Sequence, residues 1–71
     1  MENRLTEREF YVISLVAKGL TNSQIAEKLY ISVHTVKAHL EVIYDKFGVS
    51  NRVQAVIKAI VLGLVDINAL T

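Results

Sequence analysis

Two segments of the chain begin with the same helix-start signal. Thr6 and Glu9 have the spacing of a capping box, in which each side chain bonds the backbone N–H of the other residue. Thr21 and Gln24 repeat this spacing. In both segments the box is flanked by apolar residues with the spacing of a hydrophobic staple, namely Leu5 with Phe10 and Leu20 with Ile25. The two helices predicted from these signals cover roughly 7–18 and 22–29.

Two further helices follow from the same kind of evidence. Ser32 can cap a third helix, predicted over roughly 33–47, and a fourth helix is predicted to begin at Ser50 or Asn51 and to end near Leu62. The third helix has apolar residues at helical spacing, which are Val33, Val36, Leu40, Ile43 and Phe47. A glycine follows three of the helical stretches, and the chain has no proline. The pattern predicts an all-α fold of four helices and leaves the tail from Leu64 unassigned.

Length and composition exclude several classes of protein. With 71 residues the chain forms one domain, 1–71. It has no cysteine, its two histidines are five positions apart, and it has neither a nucleophilic triad nor a phosphate-binding glycine loop. We therefore expect no enzyme activity, no metal and no cofactor. The longest apolar run, 59–65, is too short for a membrane span, and no signal peptide is visible, so the expected compartment is the cytoplasm.

The second and third predicted helices are joined by only three residues, Tyr30-Ile31-Ser32. So short a turn makes the helices cross steeply, as in a helix-turn-helix unit. The residues expected to meet at the crossing are Ile25, Ala26 and Leu29 on one helix and Val36 and Leu40 on the other. A small helical bundle with a tight corner would have the same pattern, so this feature alone does not fix the function.

The outward side of the third helix favours DNA binding. By helical periodicity His34, Ala38, Glu41 and Asp45 point away from the apolar stripe, and Lys37 lies on one flank. Most side chains in the first half of this side are short or neutral, so the helix can enter a major groove about 12 Å wide. Lys37 can reach guanine acceptors or a phosphate, and Ala38 can contact a thymine methyl group.

Glu41 allows two interpretations. Its carboxylate can accept a hydrogen bond from cytosine N4 if it reaches a base edge. Alternatively, Glu41 and Asp45 both lie beyond the groove and interact with water or with Lys37. The residues expected to face bases are His34, Lys37, Ala38 and Glu41.

The sequence resembles the LuxR/GerE-type helix-turn-helix domain of bacterial transcription regulators. The resemblance covers roughly 5–64 and rests on several motifs in order: Leu5-Thr6-Glu7-Arg8-Glu9, Ala17-Lys18-Gly19-Leu20-Thr21-Asn22, Ile25-Ala26-Glu27-Lys28-Leu29, Ile31-Ser32, Thr35-Val36-Lys37-Ala38-His39, Lys46-Phe47-Gly48-Val49, Asn51-Arg52 and Ala55-Val56. It implies a four-helix domain whose third helix reads the major groove as part of a transcription regulator.

The resemblance also implies roles for single residues. Lys37 and Ala38 match positions that approach bases. Thr35, Asn22 and Ser23 match positions that approach phosphates. Two further positions, Lys46 and Arg52, match basic residues that lie near the DNA backbone.

The chain departs from the family pattern at two places. Some members have a basic DNA-contacting residue where this chain has Glu41, so their target sequence does not carry over. Phe10 and Tyr11 are also unusual, and we expect Phe10 to lie in the core. The chain is either a stand-alone regulator or part of a larger one.

The fourth helix has two apolar faces. One consists of Val53, Val56, Ile57, Ile60 and Leu64, and the other consists of Ala55, Ala59 and Leu62. A domain of this size cannot bury a helix on all sides, so we expect Ala55, Ala59 and Leu62 to form a weak homodimer contact, with DNA half-sites about 10 base pairs apart. Alternatively, the C-terminal tail covers this face.

The expected function is sequence-specific binding of double-stranded DNA in bacterial transcription regulation, with RNA polymerase as a candidate partner. The net charge of +1 is low for a nucleic-acid-binding domain. A second hypothesis is therefore a protein-interaction module that sequesters a full-length regulator through the fourth helix.

Overall fold

The computed structural model describes residues 4–66 and Asn68. Four helices form its architecture: α1 (Glu7–Ala17), α2 (Asn22–Leu29), α3 (Val33–Phe47) and α4 (Arg52–Val61). Because this described part of the chain contains no strand, the expected all-α fold is confirmed. Within the same residues, every helix is too short or too polar to cross a membrane.

Both capping boxes are confirmed, and they explain why α1 and α2 begin where they do. The Glu9 backbone N–H donates to Thr6 Oγ1 at 3.1 Å, and Glu9 Oε1 accepts from the Thr6 N–H at 2.9 Å. In α2 the matching distances between Thr21 and Gln24 are 3.1 and 2.8 Å. Each box satisfies backbone donors that have no partner within the helix.

The remaining two helices are also capped by short polar side chains. Ser32 Oγ accepts from the Thr35 N–H at 3.0 Å at the start of α3. Asn51, one of the two predicted first residues of the fourth helix, is the cap directly before α4, and its Oδ1 accepts from the Gln54 N–H at 2.9 Å. Gly48 ends α3 in the left-handed conformation (φ 69°), which a glycine adopts without steric cost.

The turn between α2 and α3 contains a feature that the sequence did not predict. Tyr30 adopts the left-handed conformation (φ 59°, ψ 42°) although it is not a glycine. The Tyr30 and Ile31 N–H groups both donate to the Ala26 carbonyl, which closes the end of α2 within three residues. The Tyr30 side chain is 95% exposed, so no packing interaction compensates for the strained backbone.

The expected crossing of α2 and α3 is confirmed. Ile25 and Ala26 of α2 and Val36 and Leu40 of α3 are buried, and the two helices are in contact. The rest of the core is formed by buried residues of α1, α3, α4 and the tail: Val12, Ile13, Leu15, Val16, Ile43, Phe47, Ala55, Ala59 and Val65.

Two residues expected at buried positions lie at the surface instead. Phe10 is 43% exposed, so its placement in the core was wrong. Glu9 lies on the buried side of α1. Because the next residue of a helix is about 100° further round the axis, Phe10 points away from that side. Val33 is 36% exposed because it is the first residue of α3, before the helix meets α2.

The prediction for the faces of α4 was wrong for Ala55 and Ala59. Both alanines are fully buried inside the domain, where α4 contacts α1 and α3, so a partner chain cannot reach them. Small side chains allow close packing between helices of one domain as readily as between two chains. The exposed apolar face consists of Val53, Ile57 and Val61, with Leu62 directly after the helix.

Candidate nucleic-acid interface

The first half of α3 presents one continuous exposed surface. His34, Lys37, Ala38 and Glu41 are all exposed, as helical periodicity predicted. On the opposite side of the same turns Val36 is fully buried and holds the helix against the core. The inward packing therefore fixes which side chains face the solvent. We call the four exposed residues the reading face.

The cap of α3 lies beside the reading face. Thr35 is half-buried, and its Oγ1 lies 3.0 Å from Ser32 Oγ. Ser32 Oγ also accepts the Thr35 N–H. When Ser32 is the donor between the two hydroxyls, the Thr35 hydroxyl keeps its own proton for an acceptor outside the protein.

The start of α2 and the start of α4 are joined by Arg52. Its Nη1 donates to Asn22 Oδ1 at 2.7 Å, and its Nη2 donates to the Leu20 carbonyl at 2.6 Å. Both contacts are partly buried. The guanidinium group thus connects three parts of the chain: the α1–α2 turn, the first residue of α2 and the first residue of α4. Ser23, next along α2, is exposed.

A shallow cleft brings these elements together with the reading face. It is lined by Asn22, Lys37, Leu40, Glu41, Tyr44 and Arg52. Four of these residues were predicted to contact DNA, from sequence positions up to 30 apart. Tyr44 was not predicted. It lies three residues after Glu41 and seven after Lys37, a spacing that puts all three on one side of a helix and could have identified it.

The second half of α3 contains a lysine whose ammonium group is bound within the protein. Lys46 Nζ lies 2.7 Å from Glu9 Oε1 and donates to the Arg4 carbonyl at 3.0 Å. The Glu9 residue is 7% exposed. This ion pair joins the C-terminal end of α3 to the first turn of α1. The expected phosphate contact of Lys46 stays a prediction, and in the free protein its ammonium group is occupied by protein acceptors.

The ion pair changes the acidity of Glu9. Burial by itself raises the pKa of this carboxyl, because it disfavours the charged form. The hydrogen bonds from Lys46 and Thr6 and the charge of Lys46 outweigh burial and hold the pKa of Glu9 below its ordinary value. The carboxylate is therefore charged at neutral pH and serves as the fixed anionic partner of Lys46.

The side chains of the reading face are suited to binding a ligand through hydrogen bonds and apolar contacts. His34 is exposed and His39 is half-buried. Within the described residues, no three His, Cys, Asp or Glu side chains are grouped as a metal site requires. The reading face offers a cation, an imidazole, a methyl group and a carboxylate, which match the acceptors, methyl groups and donors at base edges.

Comparison with known proteins identifies the family of the chain. The family described as bacterial regulatory proteins of the luxR family, GerE, matches residues 3–59. The transcriptional regulatory protein LiaR of Bacillus subtilis is 46% identical over 55 residues, which are 78% of this chain and 26% of LiaR. The response regulator protein VraR of Staphylococcus aureus is 47% identical over 55 residues, with the same coverage.

A solved structure agrees with these similarities. The crystal structure of the response regulator ChrA of a heme-sensing two-component system has a TM-score of 0.86 and 42% identity, covering 90% of this chain and 32% of ChrA. The chain spans about a quarter of the length of LiaR and VraR. It belongs to the luxR family of bacterial regulatory proteins, as a LuxR-type helix-turn-helix domain that binds DNA in transcription regulation.

Proposed function

We propose that the reading face of α3 enters the major groove and reads the sequence of double-stranded DNA. The observation that supports this proposal is the continuous exposure of His34, Lys37, Ala38 and Glu41 on a helix held from behind by buried residues. A rigidly held helix fits the groove as a unit, so each side chain meets a defined base pair.

The contacts to bases differ in chemistry. Lys37 donates to the O6 and N7 acceptors of guanine, and Ala38 contacts a thymine methyl group. His34 lies one turn before Ala38 and contacts the neighbouring base edge. Glu41 accepts from cytosine N4, provided that the groove is followed this far along the helix.

The phosphates on either side of the groove are bound by Asn22, Ser23 and Thr35. These residues are uncharged and at least partly exposed, and they lie at the starts of α2 and α3. Backbone N–H groups at helix starts also favour an anion. Lys46 and Arg52 support this surface from within, because their cationic groups bind protein acceptors.

The corresponding experiment measures binding of Lys37→Ala to a duplex selected from random sequences. We expect the substitution to weaken specific binding by about 1–3 kcal/mol without a change in melting temperature. The matched control is Lys58→Ala, an exposed lysine of α4 that lies in a cleft with Phe47, at the opposite end of α3. We expect this control to keep the affinity of the unmodified chain.

Titration of the unmodified chain at two salt concentrations tests the broader proposal. Phosphate contacts release counterions, so the affinity falls as salt rises. Absence of salt-sensitive binding to any duplex would contradict the proposal and favour the protein-interaction module. Equal losses for the two lysine variants would contradict the role of the reading face.

We also propose that the chain forms a weak two-fold dimer through the exposed apolar face of α4, formed by Val53, Ile57, Val61 and Leu62. These four large apolar side chains, each more than half exposed, form a stripe along α4 and the residue directly after it. A dimer through this stripe places two copies of α3 for half-sites about 10 base pairs apart.

Sedimentation equilibrium of Ile57→Glu tests the dimer. A charge in the centre of the stripe should shift the chain towards monomer, because pairing would bury it without a partner. The control is Val42→Glu, the same type of change at an exposed valine of α3. An unchanged sedimentation profile for Ile57→Glu, at concentrations where the unmodified chain associates, argues against this interface.

A further inference from the structure

Arg52 differs from an ordinary surface cation in how its donors are used. Its fork is directed into the protein, with Nη1 on Asn22 Oδ1 and Nη2 on the Leu20 carbonyl. The distances of 2.7 and 2.6 Å are typical of strong, charge-assisted hydrogen bonds. An arginine held at two points by partly buried acceptors is well placed to orient one of them.

The chemistry of the amide determines the orientation of Asn22. An arginine has only donors, so the group of Asn22 that faces it must be the carbonyl oxygen. The NH2 group lies on the other branch of the same planar amide and therefore faces away from Arg52. Its two protons are thus available to an acceptor outside this pair.

The position of this amide relates it to the reading face. Asn22 and Arg52 line the same cleft as Lys37 and Glu41 of α3. A DNA strand that passes the reading face therefore has a phosphate near the start of α2. An NH2 group that is already oriented binds a phosphate oxygen without the entropy cost of fixing a free side chain.

We propose that Arg52 is a positioning residue that acts through Asn22: it fixes the amide so that the NH2 group donates to a DNA phosphate. This inference rests on the proposed function of α3 and assigns different roles to Asn22 and Arg52 in binding the phosphate. The neutral asparagine makes the phosphate contact, and the cation behind it contributes orientation rather than a contact of its own.

A double-mutant cycle of Asn22→Ala and Arg52→Met tests the proposal, measured by fluorescence anisotropy with the selected duplex. Asn22→Ala should weaken binding by about tenfold, the effect of one hydrogen bond to a charged group. Arg52→Met should weaken it by about threefold to tenfold, the cost of fixing the freed amide on binding. The double variant should bind no more weakly than Asn22→Ala alone, because without the amide Arg52 has nothing to position. Losses that multiply would overturn the proposal. Lys58→Met, which removes an exposed cation, should bind within about twofold of the unmodified chain.

The salt dependence separates positioning from direct contact. A cation that neutralises a phosphate contributes about 0.9 to the slope of log affinity against log salt. Arg52→Met should keep the slope of the unmodified chain, and a decrease by about 0.9 would show that Arg52 itself contacts phosphate. Lys37→Ala serves as the reference: if it does not weaken binding either, the proposed function has failed rather than this inference alone.

A measurement on the unmodified chain covers the case in which Arg52→Met does not fold. The side-chain NH2 resonances of Asn22 should lie away from their random-coil positions in the free protein, since the amide is held beside Arg52. They should shift when the duplex is added at low salt, whereas those of Gln54, which lies outside the cleft, should not. Unshifted Asn22 resonances at saturating duplex would overturn the proposal.

Discussion

The two halves of α3 use their lysines in opposite ways. Lys37, in the first half, is exposed and belongs to the reading face. Lys46, in the second half, is bound to the buried carboxylate of Glu9 and to the Arg4 carbonyl. Both residues are basic and lie on one helix, but in the free protein the ammonium group of Lys46 is bound by protein acceptors. Packed neighbours, as well as charge, therefore determine which cations we expect to bind DNA.

The largest expected effect separates these two roles. Lys46→Met should lower the free energy of unfolding by about 2–3 kcal/mol, because the carboxylate of Glu9 is left buried without its partner. In a domain of this size the melting temperature, followed by circular dichroism, should fall by about 10–20 °C. DNA affinity measured well below the melting transition should be unchanged.

Lys37→Met is the matched variant in the first half of the helix. It should reduce DNA affinity and leave the melting temperature within about 2 °C, since no protein group depends on an exposed lysine. If Lys46→Met reduced affinity as much as Lys37→Met while the protein stayed folded, the two halves would not differ as described.

The dependence of stability on pH tests the same ion pair. Folding lowers the pKa of Glu9, so near the ordinary value of 4.5 the unfolded chain binds more protons than the folded one. The stabilisation is present above the ordinary pKa and is lost as the pH falls through the lower value of the folded state. Chemical denaturation at pH 7 and pH 3 should therefore show a smaller loss for Glu9→Gln than for the unmodified chain.

An exposed carboxylate supplies the control for this measurement. Glu27→Gln removes an acid from the surface of α2 and leaves the pair of Glu9 and Lys46 intact. It should keep the acid sensitivity of the unmodified chain. If Glu9→Gln lost as much stability as Glu27→Gln between the two pH values, the ion pair would not be the source of that sensitivity.

The helices could be predicted from the sequence because their signals are local. A capping box lies within four residues, and a cap such as Ser32 or a terminating glycine acts on the adjacent turn. These signals gave the bounds of all four helices to within two residues. The inward side of α3 also followed from spacing alone, apart from its first residue, Val33, and so did the exposure of Lys37 and Ala38.

The errors in α4 and in the phosphate contacts concern contacts between distant parts of the chain. Both faces of α4 are apolar, so periodicity could not tell which one packs inside, and the alanine face was assigned to a partner. The contacts of Lys46 with Glu9 and of Arg52 with Asn22 join residues 37 and 30 positions apart. No local pattern indicates such pairs, and they changed the interpretation of two of the five expected phosphate contacts.

The smallest expected effects locate the point at which the first half of α3 gives way to the second. Glu41 and Asp45 are both exposed carboxylates, one turn apart. If the groove contact extends to Glu41, then Glu41→Gln changes the preferred base at one position of the site, because an amide both donates and accepts.

Asp45→Asn should only raise affinity, by about twofold or less and for all sequences alike, since it removes a repulsion from phosphate. Selection of duplexes by both variants measures this difference. Identical site preferences would place the end of the reading face at Ala38, whereas a changed base for Asp45→Asn would extend it into the half that binds Glu9.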